Sequence, residues 1–343
     1  MSLPAAPPDM SAADLLRLLG LDSTQATVRF ALAEFGIMSV PALPAPEPPA
    51  DEPEWFDWLI SGRNGIEFGF EDQAYFLAQD PKLRGSGPLL LTQLCFYCDY
   101  PGVQPYQGEL PFGLLRTDTR AVVRRKLQSV DARRRLYVRD VWDMPRMRMI
   151  VAYAPDDAGI ASILCLLPIR PWPVTQDTTN LLPRPAQLAG LLGQTATSTM
   201  FRQVFAPLGP EPFGFDGSRV GKWNFRHAYG FELSFVDPSP DDADPPTDEP
   251  PVIGSIRFYR DRDLDAYGWK GELPFALDFN DSHDILFEKL GQPPAEQRDS
   301  DLHGFALWHF PQFTLHVFYS NLENLLRRVT LIKPGLWESA VES

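Results

Sequence analysis

The amino-acid sequence predicts an α+β fold of two tandem repeats, each made of two submodules with short helices packed on a mainly antiparallel sheet. Three observations predict it. The pentapeptide Gly-Glu-Leu-Pro-Phe occurs twice, at 108–112 and at 271–275. The likeness extends outward from both copies in one order, as a duplicated chain requires. The segments between read as short helices followed by runs that alternate apolar and polar residues, the period of a half-buried strand.

Forward from the pentapeptide, Leu114 matches Leu277, Thr119 matches Ser282, and Lys126-Leu127 match Lys289-Leu290. Trp142, Pro145, Tyr153 and Ile163 then match Trp308, Pro311, Tyr319 and Val329, and Trp172 meets Trp337. Backward, QLCFYCD aligns with SIRFYRD, NGIEFGF with YGFELSF, and LLGLDSTQATVRFALAEFG with LLGQTATSTMFRQVFAPLG. The implied organisation is a disordered 1–11, a first repeat at 12–172 with submodules 12–104 and 105–172, a proline-rich linker at 173–184, and a second repeat at 185–338 with submodules 185–267 and 268–338. MSAADLLRLLG and TRAVVRRKL read as helices, with Ser11 and either Thr119 or Asp118 as N-caps. LYVRDVW, RMRMIVAYA, ASILCLLPI, FALWHF, FTLHVFYS and LLRRVTLI read as strands.

Composition narrows the function. Acids outnumber bases by 45 to 31, a formal net charge of −14. Such a surface repels nucleic acid and anionic lipid, and it favours a basic protein partner. No run reaches the roughly 18 apolar residues of a membrane span. The opening MSLPAAPPDMSAADLL lacks the basic and apolar regions of a signal peptide, so the expected compartment is the cytoplasm.

Candidate chemistry is sparse. Cys95 and Cys98 form a C-x-x-C, but in a strand the two side chains point to opposite faces, and the second repeat has Arg257 and Arg260 there. Cys165 reads as a core residue. His283, His303, His309 and His316 have no counterparts in the first repeat and read as strand or helix histidines without a metal. Asp261, Asp263 and Asp265 read as a solvated turn. The acids Asp278, Asp281 and Asp284 are the place where an unrecognised hydrolytic site would sit. The basic run Arg116, Arg120, Arg124, Arg125, Lys126 and Arg133 to Arg135 reads as a surface with local ion pairs. No metal, cofactor or catalytic residue is expected, and the chain is expected not to be an enzyme.

One family resemblance attaches to the repeated word. Gly-x-Leu-Pro-Phe-x-Leu, a Ser or Thr opening a helix, and a Leu-Gly-x-Pro exit resemble a module of small bacterial proteins encoded beside polymorphic or type VI toxins. The second copy has it whole, in Gly271, Leu273, Pro274, Phe275, Leu277, Ser282 and then Leu290, Gly291, Gln292 and Pro293. The first copy departs from it after Leu127, where Gln128 and Ser129 replace the exit. The tandem helix-pair-and-sheet layout is also similar to the β-lactamase inhibitor protein and the outer-membrane-assembly lipoprotein domain. The resemblance implies an immunity or inhibitor protein that occludes a cognate toxin or effector with a basic surface. An adaptor or chaperone that loads an effector onto a secretion system is the alternative.

The expected contact residues are the acids Asp241, Asp242, Asp244, Asp248 and Glu249, which would steer a basic partner, with Trp223 or Trp269 as anchor. Trp55 and Trp58 are further anchors if exposed. The two pentapeptides are expected to serve the fold, with glycine giving a permissive backbone and the Leu and Phe side chains pinning a helix to the sheet.

Overall fold

The computed structural model describes residues 10–43, 55–79, 85, 87–173, 179–208, 221–238 and 250–337. The acids at 241, 242, 244, 248 and 249 lie outside the described residues. The chain divides into two units, Met1–Arg170 and Pro171–Ser343.

In the first unit, α1 (Ala12–Leu16) and α2 (Ala26–Glu34) precede β1 (Phe56–Ser61), β2 (Ile66–Asp72), the short α3 (Gln73–Phe76) and β3 (Leu89–Tyr97). Then come α4 (Arg120–Lys126), β4 (Arg133–Leu136), β5 (Asp140–Asp143), β6 (Arg148–Tyr153) and β7 (Ile160–Leu166). The second unit repeats the scheme with α5 (Pro185–Ala189), α6 (Thr199–Phe205), β8 (Gly221–Phe225), α7 (Arg226–Tyr229), β9 (Phe231–Val236) and β10 (Val252–Tyr259). It closes with α8 (His283–Leu290), β11 (Glu296–Asp299), β12 (His303–His309), β13 (Thr314–Ser320) and β14 (Leu325–Ile332).

Each unit holds one seven-stranded antiparallel sheet. The first has the order β1-β2-β3-β7-β6-β5-β4, and the second, read from its matching edge, β8-β9-β10-β14-β13-β12-β11. The orders are identical strand for strand. The two submodules of each unit therefore share a sheet, joined where β3 pairs with β7 and β10 with β14. Register agrees with the sequence match: Phe96 stands opposite Ile163 as Phe258 stands opposite Val329, and Trp142 opposite Met149 as Trp308 opposite Leu315.

Helices cover one face of each sheet. In the first unit Leu15, Val28, Leu32 and Val123 meet Phe68, Leu94, Phe96 and Trp142. In the second, Leu188, Phe201, Val204 and Leu286 meet Leu233, Ile256, Phe258 and Trp308. Helix starts follow their caps. Ser11 accepts from the Asp14 amide and Ser282 from the Ile285 amide, each satisfying a donor the first turn leaves open. Thr119 occupies the N-cap of α4 but its side chain makes no cap bond. Gly291, at φ 64°, ends α8 in the left-handed conformation.

One boundary differs from the sequence reading. Trp172, assigned there to the end of the first repeat, belongs by its contacts to the second unit: its ring stacks on Tyr267 at 5.6 Å and lies 4.0 Å from the Arg262 guanidinium. No helix among the described residues is long and apolar enough to cross a membrane.

Candidate functional site: the two Gly-Glu-Leu-Pro-Phe turns

The repeated pentapeptide builds the same device twice. Leu110 and Leu273 are extended and buried, and Pro111 and Pro274, also buried, open single 3-10 turns, Pro111–Gly113 and Pro274–Ala276. The Leu114 amide donates to the Pro111 carbonyl and the Leu277 amide to the Pro274 carbonyl. The glycines are needed for close approach rather than for freedom of the backbone. A β-carbon at Gly108 would come within 2.5 Å of the Tyr106 hydroxyl, and one at Gly271 within 2.5 Å of the Trp269 ring.

The phenylalanines are the unexpected part. Phe112 sits at φ 58°, ψ 25° and Phe275 at φ 57°, ψ 26°. That is the left-handed region, which costs an L-residue with a bulky side chain roughly 1–2 kcal/mol. The next residue is left-handed as well: Gly113 at φ 65°, but Ala276 at φ 52°. An aspartate and a lysine hold each turn in place. Asp118 accepts from the Leu115 amide at 2.8 Å and Asp281 from the Asp278 amide at 2.7 Å. Lys126 binds Asp118 at 2.7 Å and donates to the Gly113 carbonyl at 3.0 Å. Lys289 binds Asp281 at 2.7 Å and donates to the Ala276 carbonyl at 2.6 Å. Both aspartates are buried while the lysines lie at the surface, so burial strengthens the bonds the carboxylates accept more than those the lysines give to the turn carbonyls.

The rings themselves point outward. Phe112 is 44% exposed and Phe275 40% exposed. This corrects the expectation that they pin helix to sheet; Leu and Pro do the pinning, and the strained backbone presents the ring to solvent. In the second unit Phe275 joins Phe310, at 4.7 Å between centroids, and Phe313. In the first unit the exposed Leu115 continues the apolar surface beside Phe112, where the second unit has Asp278. The turn of the second unit also lines a cleft of about 720 Å³ with Arg184, Lys270 and Glu272.

The other expected residues fall elsewhere. Trp269 is 5% exposed, packed between Phe231 and Phe258 with its Nε1–H donated to the Glu272 carbonyl, so it is a core residue and not a surface anchor. Trp223 is half-buried against Phe201 and Phe235 on the helix side of β8. Trp55 is buried and Trp58 exposed. Cys98 joins the helix-side core, while Cys95 stands on the other face. Burial pushes both thiols up to about 12, which opposes thiolate chemistry. Cys165 is in the core as expected.

His283 is buried against Phe287 and Tyr319, and its pKa is lowered by burial. His316 lies on the face away from the helices, between Phe305 and Trp337; burial, then Arg257 and Arg328, lower it to about 4. His303 is exposed, its ring 5.6 Å from Phe318, and His309 meets the Thr314 hydroxyl at 3.0 Å. Asp263 is no solvated turn residue: it is buried, and Arg328 binds it at 2.7 Å. The run of bases is engaged locally, with Arg124 bidentate on the buried Asp140 at 2.7 Å, and Arg135 and Arg148 on Asp143. Among the described residues no group of three His, Cys, Asp or Glu could hold a metal ion.

What sequence reasoning missed was the lysine clamp. Its signal was present, since Lys126 and Lys289 are identical and equally spaced from the pentapeptide.

No protein-family model matches the chain, and no curated protein matches it. One solved structure that does is the crystal structure of a DUF4309 family protein (YjgB) from Bacillus subtilis, 18% identical, covering 46% of this chain and 91% of that one, with a TM-score of 0.24.

Proposed function

We propose that this protein is a non-catalytic binder of another protein, a cytoplasmic immunity or inhibitor protein that occludes a cognate bacterial toxin or effector. The observation that carries the reading is the pair of exposed phenylalanines held in left-handed backbone in both units by a clamp of a buried aspartate and a surface lysine. A fold that needed only a turn there would relax it with glycine or asparagine. Strain kept at a solvent-exposed ring fits a contact residue, because aromatic side chains supply much of the energy of typical protein interfaces. The family resemblance of the pentapeptide supplies the kind of partner, and the net charge of −14 favours one with a basic surface.

The test is co-expression with the product of the neighbouring gene. The expected result is protection of the cells and a stoichiometric complex on size exclusion, with both lost in the Phe112→Gly, Phe275→Gly double variant. Neither protection nor a complex with the unaltered chain would overturn the reading. A complex in which the partner keeps its full activity would turn it towards the adaptor alternative.

A further inference from the structure

The two units differ at their matching edge strands, on a surface separate from the pentapeptide turns. Among the described residues, β1 and β8 are the outermost strands of their sheets. Register places Trp58 opposite Gly69 and Ile60 opposite Glu67, and in the second unit Lys222 opposite Ser234 and Asn224 opposite Glu232. Trp58 and Ile60 thus occupy the positions of Lys222 and Asn224. A lysine on an edge strand blocks pairing with other chains; the first unit has given that protection up. Trp58 is 46% and Ile60 50% exposed, and with Met38 they border a cleft of about 380 Å³ that ends at Arg63. Gly69 lets the Trp58 ring lie flat on the sheet, since a β-carbon there would come within 2.5 Å of it.

Backbone geometry adds a second feature. The Asp72 amide donates to the Trp55 carbonyl, which sets the alternation along β1. The amides and carbonyls of Asp57, Leu59 and Ser61 therefore face β2, and those of Phe56, Trp58 and Ile60 face the outer edge, where no described strand pairs with them.

Charge adds a third. In the second unit Glu232 lies 3.9 Å from Lys222 and 3.9 Å from Arg257. Its counterpart Glu67 has Trp58 and Cys95 at those two positions, and accepts instead from the Tyr97 hydroxyl at 3.0 Å. The carboxylate is kept while both neighbouring cations are replaced.

We propose that the outer edge of β1 receives an extended basic segment of a partner protein as an eighth strand, pairing with the backbone of Phe56, Trp58 and Ile60 and laying an arginine or lysine across Trp58 towards Glu67. Strand addition supplies the backbone bonds, and the cation over the indole supplies the side-chain contact. This does not rest on the pentapeptide turns.

The probe is a fluorescent heptapeptide of alternating arginine and valine, titrated against the full chain by anisotropy. Saturable binding is expected, at least tenfold weaker for Trp58→Lys with Ile60→Asn, which installs the second unit's own residues, and several-fold weaker for Glu67→Gln. Circular dichroism and unfolding midpoints of these variants should match the unaltered chain. A glutamate–valine peptide, and the arginine–valine peptide with alternate amides N-methylated, should not bind. The Phe112→Gly, Phe275→Gly variant should bind the peptide normally. Absence of saturable binding, equal binding of the N-methylated peptide, or unchanged binding to the Trp58→Lys, Ile60→Asn variant would each overturn the proposal.

Discussion

The two units share a strand order, a register and a lysine–aspartate clamp, and differ in what stands on those supports. The first stabilises the region beneath α4 with an ion pair, the partly exposed Arg124 on the buried Asp140. At the same two places the second has Phe287 and Ala306, with Phe287 packed on the buried Trp308. On the face away from the helices the first has Ile150 where the second has His316 beneath Trp337. Duplicated chains keep what the backbone demands. Side chains that only fill space or meet solvent are free to diverge, so the strained phenylalanine, kept in both units with its ring largely exposed, stands out.

The comparison can be broken first at the ion pair. Arg124→Ala leaves the buried Asp140 carboxylate with the Tyr153 hydroxyl at 3.0 Å and Arg120 at 3.8 Å, and the expected loss is about 1.5–3 kcal/mol. Replacing both partners with the second unit's residues, Arg124→Phe with Asp140→Ala, should lose less than half as much in urea unfolding. A double variant as unstable as the single would mean that the two units are not interchangeable there.

The clamp should behave alike in both units. Lys126→Met and Lys289→Met each remove the cation from a buried aspartate and a donor from a strained carbonyl, at an expected cost of roughly 1–3 kcal/mol. A neutral result in either unit would show that its left-handed turn holds itself.

A smaller effect concerns pH. His316 titrates near 4 in the folded chain against an ordinary 6.5. Between those values the unfolded chain binds the extra proton, so folding stability is full above about 6.5 and falls as pH drops towards 4. His316→Ile, the first unit's residue, should flatten the change in unfolding temperature across that window. An unchanged slope would assign the acid sensitivity to other groups.

Much of the fold was legible in the sequence. The duplication, the strands β6, β7 and β12 to β14, and the helix before each second half follow from matched words and alternation, whereas LYVRDVW, read as one strand, bends at 137–139 between β4 and β5. The fusion of two submodules into one sheet was not, because the pairing of β3 with β7 joins segments more than sixty residues apart and leaves no local signal. The candidate site was half legible. Identical residues marked the pentapeptide, but period and hydropathy place a phenylalanine in the core by default, and only the backbone angles reveal the ring turned outward. Trp269 misled in the opposite way: its ring is drawn inward by Gly271, whose missing β-carbon makes the room.

The most direct measurement is the equilibrium stability of Phe112→Gly, Phe275→Gly and their combination by urea unfolding. If the phenylalanines are strained contact residues, glycine relieves the left-handed backbone and gives up only a half-exposed ring, so each variant should lie within about 1 kcal/mol of the unaltered chain. A loss of about 3 kcal/mol or more at either position, the cost of emptying a core aromatic site, would contradict it and return the pentapeptide to a purely structural role.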